Sequence, residues 1–304
     1  MIALNLHNET NSLEAVVLGL PDSFGGTPKL EDCYDPKSRE HVLKGTFPKQ
    51  QNVINEMNAF KSVLLKYGVD VFRPRNIEGL NQIFSRDIGF VIDNKFIVPN
   101  IIYDRKEEVS AIDTLIENIR AEDIISMPSD ARVEGGDVML CDDFIFVGYS
   151  EESDFHKYQV ARTNRSAVDF LQHSFPHKKV KGFELKKSDD NPKDNALHLD
   201  CCFQPVGQHF AIMYKAGFKN QSDVDFLINH FGEDNIIFIS RDEMYQMNSN
   251  IFSISPQVVI SEKGFERLNK ELRNKGITVE EVPYAEIAKM EGLLRCSTLP
   301  LRRK

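Results

Sequence analysis

Short apolar runs broken by polar turns recur along this chain, and each pair of them is followed by apolar residues spaced three and four apart. Gly89–Ile92 and Phe96–Pro99, separated by Asp93-Asn94-Lys95, read as two strands joined by a tight turn. Val109, Ile112, Leu115, Ile116 and Ile119 then predict a helix over Lys106–Ile119, and Ile124–Met127 closes the unit as a third strand. The order returns with strands at Val138–Cys141 and Phe144–Gly148, a helix near Ser166–His173 and a strand at Lys179–Phe183. It returns again at His198–Phe203, Phe210–Tyr214, Ser222–Phe231 and Asn235–Ile239, and at Ile251–Ile254, Val258–Ser261, Lys263–Arg273 and Ile277–Val282. A looser copy opens the chain, with a strand at Glu14–Leu20, a helix at Gln51–Tyr67 and a strand at Val69–Phe72. Five related strand-strand-helix-strand units argue for one closed α/β assembly, a single domain over residues 1–304, rather than two independent domains.

Two stretches interrupt the repeat. Pro21 to Lys49 is polar and turn-rich, and a connection that long is usually a lid or a disordered segment. Lys186 to Asn195 reads as a mobile, solvated surface connection.

Composition narrows the classes. Of 304 residues, 41% are hydrophobic and 27% charged, which suits a soluble globular protein, and no apolar run is long enough to span a membrane. Met1 to Thr10 lacks the basic start and apolar stretch of a secretory signal. Five irregularly spaced cysteines fit a reducing compartment, with the cytoplasm as the expected location. A net charge of −9 disfavours nucleic acid and favours a cationic partner.

Chemistry-bearing residues fall at the edges of successive units. Asp87, in Phe84-Ser85-Arg86-Asp87, stands just before a strand, where its side chain would project at the mouth of a sheet, although an aspartate there is more often a turn former. Glu134-Gly135-Gly136-Asp137 opens the next strand, its glycines permitting either a plain turn or close approach of a ligand. His198-Leu199-Asp200, read as strand, places His198 and Asp200 on one face, the pairing either of a positioned general base or, more commonly for such a pair alone, of a core histidine satisfied by its neighbour. On that reading Cys202 lies about 13 Å from His198 along the strand, too far for contact, and Cys201 faces away. Cys296, in a stretch bounded by Gly292 and Pro300, is free to fold against any earlier strand end as a nucleophile, or to be an inert buried thiol. No zinc-type spacing and no phosphate-binding glycine loop occurs, so neither metal nor cofactor is expected.

Taken in order, Arg86-Asp87, Glu134-Gly135-Gly136-Asp137, Ala161-Arg162-Thr163-Asn164, His198-Leu199-Asp200 and Gly292-Leu293-Leu294 ahead of Cys296 resemble the guanidino-group-modifying enzymes of the pentein superfamily. That family includes arginine deiminase, dimethylarginine dimethylaminohydrolase and the amidinotransferases. The resemblance spans about Glu14 to Leu301 and implies a five-bladed α/β propeller of ββαβ units about a pseudo-fivefold axis. It implies Cys296 as nucleophile, His198 as general acid/base, Glu134 as the carboxylate that orients it, and Asp87 and Asp200 as guanidinium ligands. Arg162 and Arg105 would hold a substrate carboxylate. The implied reaction converts arginine or a derivative into citrulline and ammonia or an amine, with a small guanidino molecule as partner, no nucleic acid or membrane, and room for a homodimer. Transfer of the amidino group to an amine, hydrolysis of dimethylarginine, and a non-catalytic binding protein are the alternatives. The chain lacks the glycine-rich run that precedes the cysteine in deiminases and transferases, and carries Asp200 where dimethylarginine hydrolases lack an acid. A second carboxylate wants N–H donors on both terminal nitrogens, so the expectation leans to an unmethylated substrate.

Overall fold

In the computed structural model, which describes residues 1–304, the strands form five three-stranded sheets of one pattern. In each, a central strand pairs antiparallel with one neighbour and parallel with the other. The parallel partner needs a crossover, and helix supplies it. In chain order the elements are β1 (Leu13–Leu18), α1 (Pro36–Leu43), α2 (Gln50–Lys66) and β2 (Asp70–Phe72), then β3 (Phe90–Ile92), β4 (Lys95–Val98), α3 (Asp113–Ile116) and β5 (Ile124–Ser126). The third unit is β6 (Val138–Cys141), β7 (Phe144–Tyr149), α4 (Arg165–Ser174) and β8 (Lys179–Glu184). A short α5 (Leu199–Cys202) leads into β9 (Phe203–Val206), β10 (Phe210–Met213), α6 (Gln221–Phe231) and β11 (Ile236–Phe238). After α7 (Arg241–Tyr245), the last unit is β12 (Phe252–Ser255), β13 (Val258–Glu262), α8 (Glu266–Asn274) and β14 (Thr278–Val282), followed by β15 (Thr298–Arg303).

The first unit looks incomplete in the sequence because its missing strand comes from the other end of the chain. β15 pairs antiparallel with β1, Thr298 opposite Leu18 and Leu299 opposite Val17, so first and last segments share one sheet. Alternation along β1 then serves two cores: Val16 packs with Phe60, Phe252 and Tyr284, while Val17 packs with Phe96 and Leu299.

Four segments depart from expectation. Lys106–Ile119 is not one amphipathic helix: Tyr103–Ile112 is 3-10 and only α3 is α-helical. A 3-10 turn stacks side chains three apart, and here it aligns Arg105 and Glu108, both buried. His198–Phe203 is not a strand. His198 is extended, Leu199–Cys202 makes one helical turn, and β9 starts at Phe203. The cause is tertiary: Asp137 Oδ1 accepts the Leu199 N–H at 2.9 Å, acting as an N-cap supplied by another unit. Pro21 to Lys49 carries α1, capped by Asp35, which accepts from Ser38 N. It is docked to the body through Lys37, whose Nζ donates to the Tyr245 carbonyl and whose N–H donates to Glu291. In Lys186 to Asn195, Lys187 is buried and donates to the Ala196 and Leu197 carbonyls, so that end of the connection is tied to the segment leading to His198. No helix is long and apolar enough to cross a membrane.

Because Leu299 is fully buried where the two chain ends meet, Leu299→Ala is expected to cost about 2–5 kcal/mol of stability, read as a lowered denaturation midpoint in urea.

Candidate active site

The repeat brings one short stretch from each unit to a common place, the residues immediately ahead of the unit's first strand. Asp87 precedes β3, Glu134 precedes β6, His198 and Asp200 precede β9, Asn250 precedes β12 and Cys296 precedes β15. All six are buried. None of the six stands in a strand, which leaves their side chains to converge rather than alternate across a sheet.

On one side stand the carboxylates and the histidine. His198 Nε2 lies 3.1 Å from Glu134 Oε2, and Nδ1 lies 3.8 Å from Asp87 Oδ1. Burial by itself would push the His198 pKa down, but Asp137, Asp87 and Glu134 together outweigh it and hold it above the ordinary histidine value. Burial likewise opposes ionisation of Glu134, yet Arg162, His198 and Arg105 keep its pKa well below the usual carboxylate range. The paired glycines serve close approach. A Cβ on Gly135 would sit 2.1 Å from the Arg86 carbonyl oxygen, and one on Gly136 would sit 2.6 Å from His198 Nδ1.

Two arginines fill the space between these acids. Arg105 Nη1 donates to Asp87 Oδ2 at 2.7 Å and to Glu134 Oε2 at 3.4 Å. Its Nε and Nη2 fork onto Glu108 at 2.9 and 2.7 Å, and Nη2 also reaches the Phe84 carbonyl. Arg105 thus has all five N–H groups engaged. Arg162 donates through Nη1 to Glu134 at 3.1 Å and through Nη2 to the Tyr34 carbonyl at 2.8 Å, while its buried Nε has no partner. The Tyr34 ring lies over both guanidinium groups, 6.0 Å from Arg105 and 5.6 Å from Arg162. Asp87, Glu134 and His198 offer three ligand atoms within 4.8 Å of one another, a set suited to a cation. The cation seated on the two acids here is a guanidinium.

On the other side is the thiol. Cys296 Sγ lies 3.7 Å from Asp200 Oδ2 and 3.1 Å from Asn250 Nδ2. Asn250 also accepts the Cys296 N–H through Oδ1 and the Arg295 N–H through its carbonyl. Burial, then Asp200 and Asp87, push the Cys296 pKa well above the ordinary thiol value. Asp200 faces the thiol from a helical turn rather than sharing a strand face with His198, and it is paired with Arg295 Nη1 at 2.8 Å. Cys201 and Cys202 are buried in the apolar core.

Every residue singled out in the sequence is therefore near this centre, but Arg105 is committed to carboxylates of the protein itself. Asn250 is not among the residues the sequence singles out. Its signal is the repeat register: three units carry an acid or a histidine just ahead of the first strand, and the same position in the last unit is Asn250.

The sequence profile of the family described as N,N dimethylarginine dimethylhydrolase, eukaryotic, matches residues 41–303. The chain belongs to this family. With it the chain belongs to the pentein superfamily of guanidino-group-modifying enzymes. Protein YkgA of Bacillus subtilis (strain 168) is 29% identical over 246 residues, covering 77% of this chain and 78% of its own. An arginine deiminase of Listeria monocytogenes serotype 4a (strain HCC23) is 26% identical over 265 residues, covering 74% of this chain and 62% of the deiminase, so the chain spans less than two thirds of that enzyme. Solved structures with the same fold include the N-terminal domain of ArgZ, an arginine dihydrolase from cyanobacteria, at TM-score 0.79 and 16% identity over 95% of this chain and 98% of that one. SxtG, an amidinotransferase from Microseira wollei, aligns at TM-score 0.76 and 19% identity over 99% and 97%.

In this dimethylarginine hydrolase family member the centre is closed. A cavity of about 310 Å³ lies against the 21–49 segment, lined among others by Tyr34, Phe84 and Glu108, but it does not reach Cys296 or His198. Gly136→Ala would force a Cβ against His198, and a displacement of that order is expected to lower kcat about 100-fold with the fold retained, read by steady-state assay beside circular dichroism.

Proposed function

We propose that the chain is a cysteine-dependent hydrolase of a small guanidino compound, arginine or a close derivative, with Cys296 as nucleophile and His198 as general acid and base. The observation that carries the reading is the guanidinium already seated on Asp87 and Glu134, on the His198 side of a centre whose other side is the Cys296 thiol. A substrate guanidinium would take this seat as Arg105 and Arg162 withdraw. Arg162 is the better receptor for a substrate carboxylate, since its Nε is already free, whereas Arg105 keeps its Nε and Nη2 forked onto Glu108. The docked 21–49 segment, with Tyr34 over both arginines, would open to admit the substrate.

The chemistry follows from the charges. A guanidinium carbon is deactivated by resonance, and fixing its nitrogens on carboxylates in a dry site orients it for attack. The incoming cation offsets Asp87, Glu134 and Asp200, which lowers the cost of ionising Cys296 beside them. The Cys296 thiol gives its proton to solvent as the substrate cation enters, the thiolate adds to the guanidinium carbon, and His198, whose raised pKa favours its protonated form, gives its proton to the departing nitrogen as the carbon–nitrogen bond breaks. Ammonia or an amine leaves and an S-alkylthiouronium remains on Cys296. Neutral His198 then takes a proton from water, whose oxygen bonds to the same carbon, and the carbon–sulfur bond breaks to return the thiolate, the remaining hydroxyl proton passing to solvent as the neutral ureido product forms. Asp200 Oδ1 is not used by Arg295 and carries only the weak Cys201 thiol contact at 3.8 Å, so it has capacity for one substrate N–H, which supports an unmethylated nitrogen. The unpaired thiols fit a cytoplasmic setting.

Mass spectrometry of products from arginine, methylated arginines, agmatine and guanidino acids, with and without an added amine, is the deciding experiment. Arginine is expected to yield citrulline and ammonia; a new guanidino compound formed from glycine or lysine would instead make the chain a transferase. Cys296→Ser is expected to abolish turnover, and equal rates in a folded variant would refute the nucleophile. Because His198 acts first as an acid and its pKa is raised, the alkaline limb of kcat/KM is expected to lie above the ordinary histidine value of about 6.5.

A further inference from the structure

Behind Asp200 lies a buried ion-pair chain that starts in the N-terminal segment. Leu6 bridges to Asp93 at the β3–β4 turn, Asn8 bridges to Cys141 at the β6–β7 turn, and Glu9 N donates to the Leu140 carbonyl. The segment therefore crosses the turn ends of these hairpins, whereas the site residues stand at the opposite ends of the same first strands. From there the buried Glu9 carboxylate reaches inward and receives Arg295 through Oε1 to Nη2 at 3.1 Å and Oε2 to Nε at 3.3 Å. Arg295 gives its remaining N–H groups to Asp200 Oδ2 at 2.8 Å, the Gly136 carbonyl at 3.3 Å and the Val138 carbonyl at 2.7 Å. All five donors are used, so the guanidinium has one orientation, with an acid on each side. Asp200 is in turn held 3.7 Å from Cys296 Sγ.

We propose that Glu9 and Arg295 are positioning residues for the nucleophile: Glu9 anchors Arg295 from the turn side of the assembly, and Arg295 fixes Asp200 beside Cys296 while offsetting its charge. The inference rests on Cys296 being the nucleophile. Without Arg295, Asp200 and the Cys296 thiolate would be two anions in van der Waals contact with no cation bonded to either, and only the field of Arg86 would oppose Asp200. Without Glu9, Arg295 would lose the carboxylate that its Nε and Nη2 fork onto, and its positive field would be less opposed. Glu9 lies outside residues 41–303, so this part of the nucleophile's support is carried by a segment the family profile does not match. The groups facing Arg295 are Glu9, Asp200, Arg86 and Arg303, and those facing Cys296 are Asp200, Asp87, the Cys201 thiol and the Tyr284 phenol.

The test reads the thiolate directly. Ultraviolet thiolate absorbance of the full chain is titrated against pH, each variant measured as a difference from the same variant carrying Cys296→Ser. Arg295→Gln is expected to move the Cys296 midpoint up and Glu9→Gln to move it down, each by about half a unit or more, while Glu9→Asp stays with the parent. In steady state Arg295→Gln is expected to lose about 100-fold and Glu9→Gln about 10-fold in kcat, with KM changed less than about threefold. A purely structural ion pair would lower stability and leave both midpoints alone. Unchanged midpoints in folded Arg295→Gln and Glu9→Gln, or shifts of the same sign, overturn the proposal. Should Arg295→Gln not fold, the Glu9→Gln and Glu9→Asp pair decides alone, and equal midpoints refute it. The titration needs no substrate, so its failure is distinct from failure of the hydrolase reading, which product analysis reports.

Discussion

Carboxylates buried where five sheets converge would be intolerable alone, because removing each from water costs several kcal/mol unless a partner accompanies it. This chain meets the constraint with arginines. Arg105 and Arg162 answer Asp87, Glu108 and Glu134, while Arg295 and Arg86 answer Glu9 and Asp200. The balance shows in the ionisation of the two ends: Glu9, although buried, is held down at about 2 by Arg295 and Arg86, and Arg86 is pushed down to about 9 by its burial and by Arg295. Most of the remaining architecture can be read as what is needed to deliver these groups to one place.

The delivery works through a repeated position rather than a repeated residue. Each unit contributes whatever stands just ahead of its first strand, so one geometric slot holds an acid, an acid, a histidine with an acid, an amide and a thiol. The backbone there is tied between units. Arg86 N donates to the Cys296 carbonyl, Gly136 N donates to Asp87, and Leu199 N donates to Asp137. A shift in any one unit is therefore felt by its neighbours, which favours a preorganised site over an adaptable one.

Preorganisation has a cost at the entrance. The acids that would seat a substrate are saturated by the protein's own arginines, and Tyr34 covers both. In the proposed reaction, exchange of one guanidinium for another would keep charge in the site nearly constant and would avoid exposing bare carboxylates. The docking of the 21–49 segment involves a second buried cluster, Asp35, Lys37, Asn195 and Glu291, in which burial and then Asp35 raise the Glu291 pKa.

Periodicity and turn chemistry determined the five units, the extents of α2, α4 and α6, and the order in which Asp87, Glu134, His198, Asp200 and Cys296 enter. These are local signals, set by side-chain alternation and by residues that favour turns. Only the tertiary structure decided that β15 completes the first sheet, since strand pairing between residues far apart leaves no periodic trace. It also decided that His198 ends an extended segment before a helical turn, because the cap is Asp137, more than sixty residues away. The commitment of Arg105, the three bonds between Asn250 and the Arg295-Cys296 segment, and the reach of Glu9 to Arg295 are likewise contacts between distant segments. Charge says which groups need partners, and only the fold says which partner each one meets.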